Sequence, residues 1–461
     1  MIESKPKRAV IEVDAPLLND ISDLIESGSI PLLKNILSEI YPPDIALIIN
    51  NLSKEDSLEL FRVLPVEISH DVLLEMNEYP REFILSSLSI SETASLISEM
   101  NSNDAADIIG WMKKDPADAV LKQVSGVKAT NIRELLSYGK NTAGGIMQKE
   151  FVDVKKSDTV REAIEEIKKE APFVEQLYHV WVTDEARRLL GIVSLKKIIL
   201  SIDSPGITIG EIMNSEVISV NVNMDQEEVA RVFRKYDLVS IPVVDKNDKL
   251  VGRISVDDVV DVIEEEYSED VAMIVGSDAD ELESKSPVQI AWMRLPWVLI
   301  TLGIELLAGF VIKMYDDTLG RVLLLASFMP IISAISGNTG LQAATITVRA
   351  LATGHATLTR WWEPIKRSFE TSLIIGISCG FVIGIIAWLW YGKLLFGGLV
   401  GFSMFTSINI SGLVGTSVPM LSKSLGFDPA ITAGPFETAF QDVVGISIFL
   451  SLATLLIKWL L

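Results

Sequence analysis

The stretch Gly434-Pro-Phe-Glu-Thr-Ala-Phe-Gln-Asp-Val-Val-Gly445 opens a run of apolar residues that extends to Leu461. If a helix begins near Ala430, Asp442 lies roughly 18 Å along its axis, well inside a hydrocarbon layer of about 30 Å. A carboxylate at that depth costs about 2.5 kcal/mol or more to insert, and such acids face a bundle interior or a watery path. Two interpretations stay open: a carboxylate hydrogen-bonded between helices, and a cation site.

The chain is strongly acidic, and its apolar residues are unevenly distributed. Its formal net charge is −22, and most of the apolar residues follow Pro287. We therefore expect cations rather than nucleic acid as partners. The single cysteine, Cys379, rules out an intrachain disulfide and fits a reducing compartment. The N-terminal residues lack an apolar core of signal-peptide length, so we expect the long polar region to be cytoplasmic.

The segment from about Ala15 to Lys140 repeats a helical pattern. Polar turns alternate with apolar residues spaced three and four apart, as in Ile45–Leu52 and Ser57–Leu64. This pattern predicts a stack of short helices, a form typical of interaction or regulatory platforms.

Two similar halves follow between Thr142 and Glu266. Each half contains Ile-Met, an amphipathic helix, a β-branched strand that ends in Asp, a turn, a second strand and a closing helix. The two strand-ending residues are Asp184 and Asp245. This arrangement resembles a tandem pair of CBS domains. In that family the pair dimerises and often binds adenine nucleotides, so ATP is a candidate ligand, although these residues show no clear nucleotide motif.

An acidic run follows the second half. Between Asp257 and Glu283 there are 12 acids and no Lys or Arg. Their spacing of three and four places several on one helical face, where like charges destabilise a helix. One interpretation is a solvated acidic linker. The other is a helix whose carboxylates need divalent cations to lie close together.

Five membrane spans are predicted after Pro287. They begin near Ala291, Val322, Ser368, Leu394 and Ala430, and each has room for about 20 residues of helix. The joint after the second span carries four basic residues, Arg349, Arg360, Lys366 and Arg367, whereas the joint after the first is balanced. The positive-inside rule therefore places the N-terminal region in the cytoplasm and the C-terminus outside.

Polar residues interrupt two of these spans. The second contains Ser336-Gly-Asn-Thr-Gly-Leu-Gln342, and the fourth is rich in Ser, Thr and Gly from Ser403 to Ser417. Small polar residues let helices approach closely, so close packing explains them as well as a cavity does. Together with Asp442, they also suggest a shared ion path.

The order of parts resembles the MgtE family of magnesium channels and transporters along nearly the full chain. The most specific matches are Gly337-Asn-Thr-Gly340, Leu425-Gly-Phe-Asp-Pro429 and Gly434-Pro-Phe leading to Asp442-Val-Val-Gly445. The second CBS half is also similar to the family, in Asp225–Arg231 and Val256-Asp-Asp258.

The resemblance implies a homodimer in a lipid membrane, with a pore on its two-fold axis and Asp442 binding a largely hydrated Mg2+. It also implies a connecting helix that acts as a plug. The implied pore-lining candidates are Asn338, Gln342, Gly434 and Thr438. The implied regulatory Mg2+ ligands are Asp107, Asp237, Asp257, Asp258, Asp261, Glu269 and Asp270. Two departures stand out: Leu341 replaces a pore-facing Asn, and Asn103 replaces one member of an acid pair.

The residues support this function on chemical grounds. Mg2+ sheds water reluctantly and is usually held by one or two carboxylates plus water, which two copies of Asp442 on a dimer axis would supply. One alternative is a coupled secondary transporter of Mg2+ or other divalent cations such as Co2+, although no inverted repeat is evident. The other is a membrane-anchored enzyme. A catalytic role is not expected, because the sequence has no P-loop, no catalytic triad and only the isolated histidines His70, His179 and His355.

The expected architecture is a multi-domain membrane protein with an all-α superhelix, an α/β CBS pair, a connecting helix and a five-helix membrane domain. The expected boundaries are 1–140 for the N-terminal helical domain, 141–203 and 204–262 for the CBS domains, 263–287 for the acidic connecting helix and 288–461 for the membrane domain.

Overall fold

The computed structural model of the chain describes residues 11, 13–174, 176–204, 206–277 and 286–460. It divides into two compact units, Met1–Ile263 and Glu264–Leu461.

Short helices form the first part of unit 1, as the apolar spacing predicts. They are Ala15–Glu26 (α1), Ile30–Ser38 (α2), Pro42–Asn50 (α3), Lys54–Val63 (α4), Val66–Leu74 (α5), Glu78–Ser87 (α6), Ile90–Glu99 (α7), Ser102–Trp111 (α8), Lys114–Leu121 (α9) and Gly126–Leu135 (α10). Most of them end early because a Pro, Ser or Asn starts the next helix; α7, for example, begins with a capping box between Ser89 and Glu92. Alternate helices pack together, α3 on α5, α5 on α7 and α7 on α9. The helical N-terminal domain is therefore confirmed.

The second part of unit 1 is built twice from the same elements. The first half contains Ala143–Ile146 (α11), Asp153–Lys155 (β1), Val160–Glu170 (α12), a 3-10 turn at Ala171–Phe173, His179–Thr183 (β2), Leu189–Ser194 (β3) and Leu195–Leu200 (α13). The second half contains Ile209–Ile212 (α14), Val220–Asn221 (β4), Gln226–Tyr236 (α15), Ser240–Val244 (β5) and Leu250–Ser255 (β6). In each sheet the first strand is parallel to the second, which is antiparallel to the third.

The turns between the long strands are duplicated as well. The Asp184 carboxylate accepts the backbone N–H groups of Ala186 and Arg188 at 2.8 and 2.9 Å. The Asp245 carboxylate accepts those of Asn247 and Lys249 at 2.8 and 3.0 Å. An aspartate that closes a turn through its own side chain explains why each strand ends in Asp. The predicted CBS repeat is thus confirmed down to its turns.

The acidic run forms a helix, Val256–Ile274 (α16), directly after β6. Val259 and Val262 are its buried residues, and most of its carboxylates are exposed or half-buried. Residues 278–285 of the expected connecting segment lie outside the described part of the chain.

Unit 2 is helical. Its helices are Pro287–Met314 (α17), Asp316–Arg321 (α18), Leu325–Ala352 (α19), a 3-10 turn at Leu358–Arg360, Trp362–Tyr391 (α20), Leu394–Ser424 (α21), Pro429–Thr432 (α22), Pro435–Leu455 (α23) and Ile457–Leu460 (α24). Within the described residues, four stretches are long and apolar enough to cross a membrane: α17, α20, α21 and 429–455. The second predicted span, α19, has 28 residues but is not among these four. Its Ser, Gly, Asn, Thr and Gln residues account for its lower hydropathy.

Glycines let the backbones of α20 and α21 pack closely. A Cβ placed on Gly380 of α20 would lie 2.6 Å from the carbonyl oxygen of Gly401 on α21, and one on Gly384 would lie 3.0 Å from that of Gly397. Small residues at such crossings let the backbones of membrane helices touch. Ser403, Ser407 and Thr416 of α21 are also buried, so close packing accounts for much of the polar face predicted for the fourth span.

Candidate functional site

Asp442 lies in the interior of α23 and faces α19. Pro435 occupies the first turn of α23, where its missing N–H costs nothing, so the helix starts directly after Gly434. The Ser333 hydroxyl of α19 donates a hydrogen bond to Oδ1 of Asp442. One turn further along α19, Gly337 leaves room beside the carboxylate: a Cβ there would lie 3.9 Å from Oδ1 and 3.3 Å from Cγ2 of Thr438. Asp442 is half-buried, with one oxygen anchored by α19.

A second carboxyl group, which the sequence analysis missed, belongs to this site. Glu305 lies in the middle of the apolar helix α17, and its side chain interacts directly with that of Asp442. Two carboxyl groups in contact repel each other unless a cation or a proton lies between them. The sequence signal was available, because an acid at the centre of a 28-residue apolar helix meets the same criterion that singled out Asp442.

The predicted pore-lining residues fall in two groups. Asn338 and Gln342 are one turn apart on α19 and are exposed in the protomer. Thr438 is half-buried beside Gly337. Gly434 is buried. The structure therefore brings Thr438 close to the Asp442 site and leaves two amide side chains on an open face of α19.

Gly434 contacts the end of the acidic helix. A Cβ on Gly434 would lie 2.5 Å from the carbonyl oxygen of Ile274, the last residue of α16. Met273 and Ile274 also pack against a small cluster of buried residues, Ala344, Val348, Ala430 and Ala433. The lack of a side chain at position 434 lets the two backbones meet.

Asp258, one of the predicted regulatory acids, is held by neutral donors. Its Oδ1 accepts Nδ2 of Asn103 at 2.8 Å, and its Oδ2 accepts Nε2 of Gln148 at 2.9 Å. The hydroxyl and backbone N–H of Ser255 also donate to Oδ2, at 2.5 and 3.1 Å. Burial raises the pKa of Asp258, and these hydrogen bonds with Ser255 and Gln148 partly oppose that shift. Asn103 thus makes a direct hydrogen bond at the position where the resemblance implies an acid.

The other predicted regulatory acids are spread over unit 1 and α16. Asp107 is half-buried on α8, and Asp237 ends α15 in a left-handed conformation with φ +51°. Asp257 and Asp261 are exposed on α16, where Glu269 and Asp270 are half-buried. Within the part of the chain that the structure covers, no three His, Cys, Asp or Glu side chains converge in a geometry that could hold a metal ion.

A small cleft opens between the two CBS halves. Its lining includes Tyr178, His179, Ser240 and Arg253, and its cavity volume is only about 10 Å3. Ligand pockets usually measure roughly 300–1,000 Å3, so a nucleotide would need these side chains to move. Burial lowers the pKa of His179, which favours the neutral imidazole at this position.

Comparisons with known proteins cover most of the chain. The family model described as "Divalent cation transporter" (MgtE) matches residues 329–452, and that of the MgtE intracellular N domain matches 40–141. The CBS domain model matches residues 143–204 and 209–265.

Two curated relatives are named magnesium transporter MgtE. The one from Bacillus subtilis is 30% identical over 431 residues, which span 94% of this chain and 95% of the relative. The one from Thermus thermophilus is 31% identical over 452 residues, 97% of this chain and 100% of the relative. The chain is also similar to a crystal structure of the cytosolic domain of the Mg2+ channel MgtE in complex with ATP. That match spans 53% of this chain and 99% of the other, with 31% identity and a TM-score of 0.50. With the helical domain, the CBS pair and the membrane-type helices in the same order, the chain belongs to the MgtE family of divalent cation transporters.

Proposed function

We propose that the protein imports Mg2+ across the cytoplasmic membrane as a homodimer, with Asp442 as the group that captures the ion. The observation that carries this proposal is the pair of carboxyl groups, Asp442 and Glu305, in contact at the middle of two apolar helices. Such a pair is costly in a membrane unless it serves a cation. Mg2+ keeps most of its water and needs only one or two carboxylates, so a half-open site of this kind suits it.

The membrane domain is proposed to have five spans at 288–461, with α19 as the second. In a single protomer α19 would expose Asn338 and Gln342 to lipid, which is unfavourable for polar side chains. Polar groups at this depth are tolerated where they line a cavity. On a dimer axis both side chains would instead face the ion path. The C-terminus would then lie outside the cell, with the segments 1–140, 141–203, 204–262 and 263–287 in the cytoplasm.

Gating is proposed to depend on α16. Its carboxylates, among them Asp257 and Asp261, repel one another and their dimer copies when Mg2+ is scarce. Two unit charges about 6 Å apart repel by about 2.8 kcal/mol at an effective dielectric constant of 20. Cytosolic Mg2+ would cancel this repulsion, so the ion favours the state that binds it better. The contact between Ile274 and Gly434 supports a plug role for the end of α16, which would close the path at the start of α23.

The remaining candidate regulatory acids differ in how available their carboxylates are to Mg2+. Asp107, Asp237, Glu269 and Asp270 are proposed as sites that fill when protomers and domains come together, because no three of them meet within the described part of one protomer. Asp258 is the least available, because Asn103, Gln148 and Ser255 occupy its oxygens. ATP is proposed as a ligand of the CBS pair on the basis of the relative that binds it, with rearrangement of the cleft at Arg253.

Flux measurements on full-length protein in liposomes test the capture site. We expect Asp442→Asn to abolish Mg2+ uptake, because the amide cannot supply the charge. Glu305→Gln should weaken uptake by removing the second carboxyl group. Asp317→Asn removes an exposed acid from α18 and serves as the control, with uptake unchanged. Wild-type uptake and ion selectivity in Asp442→Asn would refute the assignment, and a series with Co2+ would define the ion range.

A further inference from the structure

One buried carboxylate of unit 2 has no role in the proposed Asp442 site. Glu437 in the first turn of α23 is only 1% exposed, and so is Gln441 one turn later. Oε1 of Glu437 accepts Nε2 of Gln441 at 2.9 Å. Oε2 of Glu437 and Oε1 of Gln441 are buried and have no hydrogen-bond partner among the described residues. Buried polar groups are nearly always paired, so two unpaired acceptors side by side need an explanation.

Oxygen acceptors outnumber donors around Glu437. A Cβ on Gly340 of α19 would overlap Oε1 of Glu437 and would lie 2.6 Å from the Ser411 hydroxyl of α21. The Ser411 hydroxyl donates its hydrogen to the Ser336 carbonyl, so its oxygen can act only as an acceptor or ligand at this crossing. The Gln441 amide is the one donor that these contacts supply to the carboxylate. A set of oxygens with too few hydrogens is what a cation requires.

The helices packed against α23 do not bring a basic side chain to this carboxylate. Arg349, the one charged residue of α19, lies nine residues beyond Gly340, and Lys423, the one charged residue of α21, lies twelve beyond Ser411. These separations are roughly 14 and 18 Å along a helix. Of the charged residues in α17, which are Arg294, Glu305 and Lys313, Glu305 contacts Asp442 instead.

Among the described residues of the shorter neighbouring elements, no basic side chain is hydrogen-bonded to Glu437. Charged groups there are Asp316, Asp317 and Arg321 on α18, Asp428 before α22, Lys458 on α24, and Glu269 and Asp270 towards the end of α16. Asp428 caps α22 through the Ala430 N–H at 2.7 Å. The helix N-terminus offsets part of the charge of Glu437, but it does not supply the missing partner of Oε2.

We propose that Glu437, Gln441 and Ser411 form a site for a small monovalent cation, H+ or Na+, inside each protomer and separate from the Asp442 site. The chemistry shared by the two ions is neutralisation of a dry carboxylate without a shell of water. Mg2+ is disfavoured because it dehydrates reluctantly, and the close approach of the helices leaves little room for its water: a Cβ on Gly415 would lie 3.0 Å from the Gly340 carbonyl carbon. An occupied site would hold α19, α21 and α23 together where their backbones meet.

Thermal unfolding of the full-length protein in detergent, without Mg2+, tests this proposal apart from transport. In the first arm Na+ replaces N-methyl-glucamine at fixed pH and ionic strength. In the second arm pH is raised in N-methyl-glucamine alone. A Na+ site predicts a melting temperature that increases with Na+ in the first arm. A proton site predicts no Na+ effect and a melting temperature that decreases with rising pH, because the carboxylate loses its neutralising proton.

Glu437→Gln identifies the group responsible. The neutral amide keeps the shape of the side chain, so the variant should fold and lose the Na+ or pH response that wild type shows. Glu437→Met, which also removes the charge and fills the volume, should show the same loss if the glutamine variant is unstable. Asp317→Asn is the control, since it removes an exposed carboxylate from α18 and should keep the response. Equal Na+ and pH responses in wild type and both Glu437 variants would overturn the proposal, whatever Asp442→Asn does to Mg2+ uptake.

Discussion

Replacing Asn103 by Asp should turn a permanent contact of unit 1 into one that depends on Mg2+. In wild type the Asn103 amide donates to Asp258 at 2.8 Å. The substitution removes a hydrogen bond to a charged group, worth about 1.5–3 kcal/mol. It also places a second carboxylate next to the first.

The repulsion can be worked from this distance. Two unit charges 2.8 Å apart repel by about 6 kcal/mol at an effective dielectric constant of 20, and by about 4 kcal/mol if the side chains rotate to about 4 Å. Partial protonation of the pair and rotation of the two side chains reduce the cost, so we expect a net destabilisation of about 2–4 kcal/mol at neutral pH. For a unit of this size that lowers the melting temperature by roughly 4–16 °C.

The pH dependence has a definite sign. Burial raises the pKa of Asp258, and a neighbouring carboxylate raises it further. The folded state therefore favours the protonated acid, and the stability present at low pH is lost as pH rises through the folded-state pKa. The penalty of Asn103→Asp should thus be largest at neutral pH and should shrink on acidification.

Thermal unfolding and hydrogen exchange of full-length protein, in EDTA and in millimolar Mg2+, provide the assay. Asn103→Asp should melt early in EDTA, and exchange around residues 103, 148 and 258 should increase; Mg2+ should restore both by binding between the carboxylates. Asn103→Ala removes the hydrogen bond without adding charge, so its smaller loss should not respond to Mg2+. Wild-type stability of Asn103→Asp in EDTA, or recovery with an equal ionic strength of NaCl, would refute this reasoning.

Two further predictions concern the gate. Gly434→Ala places a Cβ 2.5 Å from the Ile274 carbonyl oxygen, nearly 1 Å closer than ordinary contact, so it should displace the end of α16 and weaken inhibition of flux by internal Mg2+. Gly398→Ala, where a Cβ meets nothing within 4 Å, is the control and should leave inhibition intact. Equal inhibition in the two variants would count against the plug. Millimolar Mg2+ should protect the segments near Lys140 and 266–285 from protease, and replacing Asp257, Asp258 and Asp261 together by Ala should abolish that protection and relieve the inhibition. Cleavage that ignores Mg2+, or that NaCl suppresses equally, would reduce the acidic run to a solvated linker.

The local patterns of the chain were readable from its sequence because neighbouring residues create them. The CBS strands and their closing residues Asp184 and Asp245 follow from β-branched runs and turn chemistry. The short N-terminal helices follow from apolar spacing and caps. Asp442 was identified from its depth in an apolar run, and the same rule applied to every span would have identified Glu305.

Contacts between distant residues were not readable. Asp258 meets Asn103 and Gln148, which lie 155 and 110 positions away, and no periodicity encodes such a meeting. The Ser333 bond to Asp442 joins residues 109 positions apart. The polar face of α21 also has two interpretations in sequence, cavity or close packing, and only the neighbours that bury Ser403 and Ser407 distinguish them.

The glycine contacts between α20 and α21 constrain how unit 2 can deform. Backbones that touch at Gly380 and Gly401, and again at Gly384 and Gly397, have no compressible side chains between them, so relative sliding or rolling would meet hard repulsion almost at once. We therefore expect these two helices to move together as one rigid body. Movement within unit 2 is therefore expected in other helices. The best candidate is α17, because Ala308 is its only buried residue. If α17 moves when the path opens, it carries the Glu305 carboxyl group with it while α20 and α21 stay in place. A movement of this one helix would then be enough to separate Glu305 from Asp442.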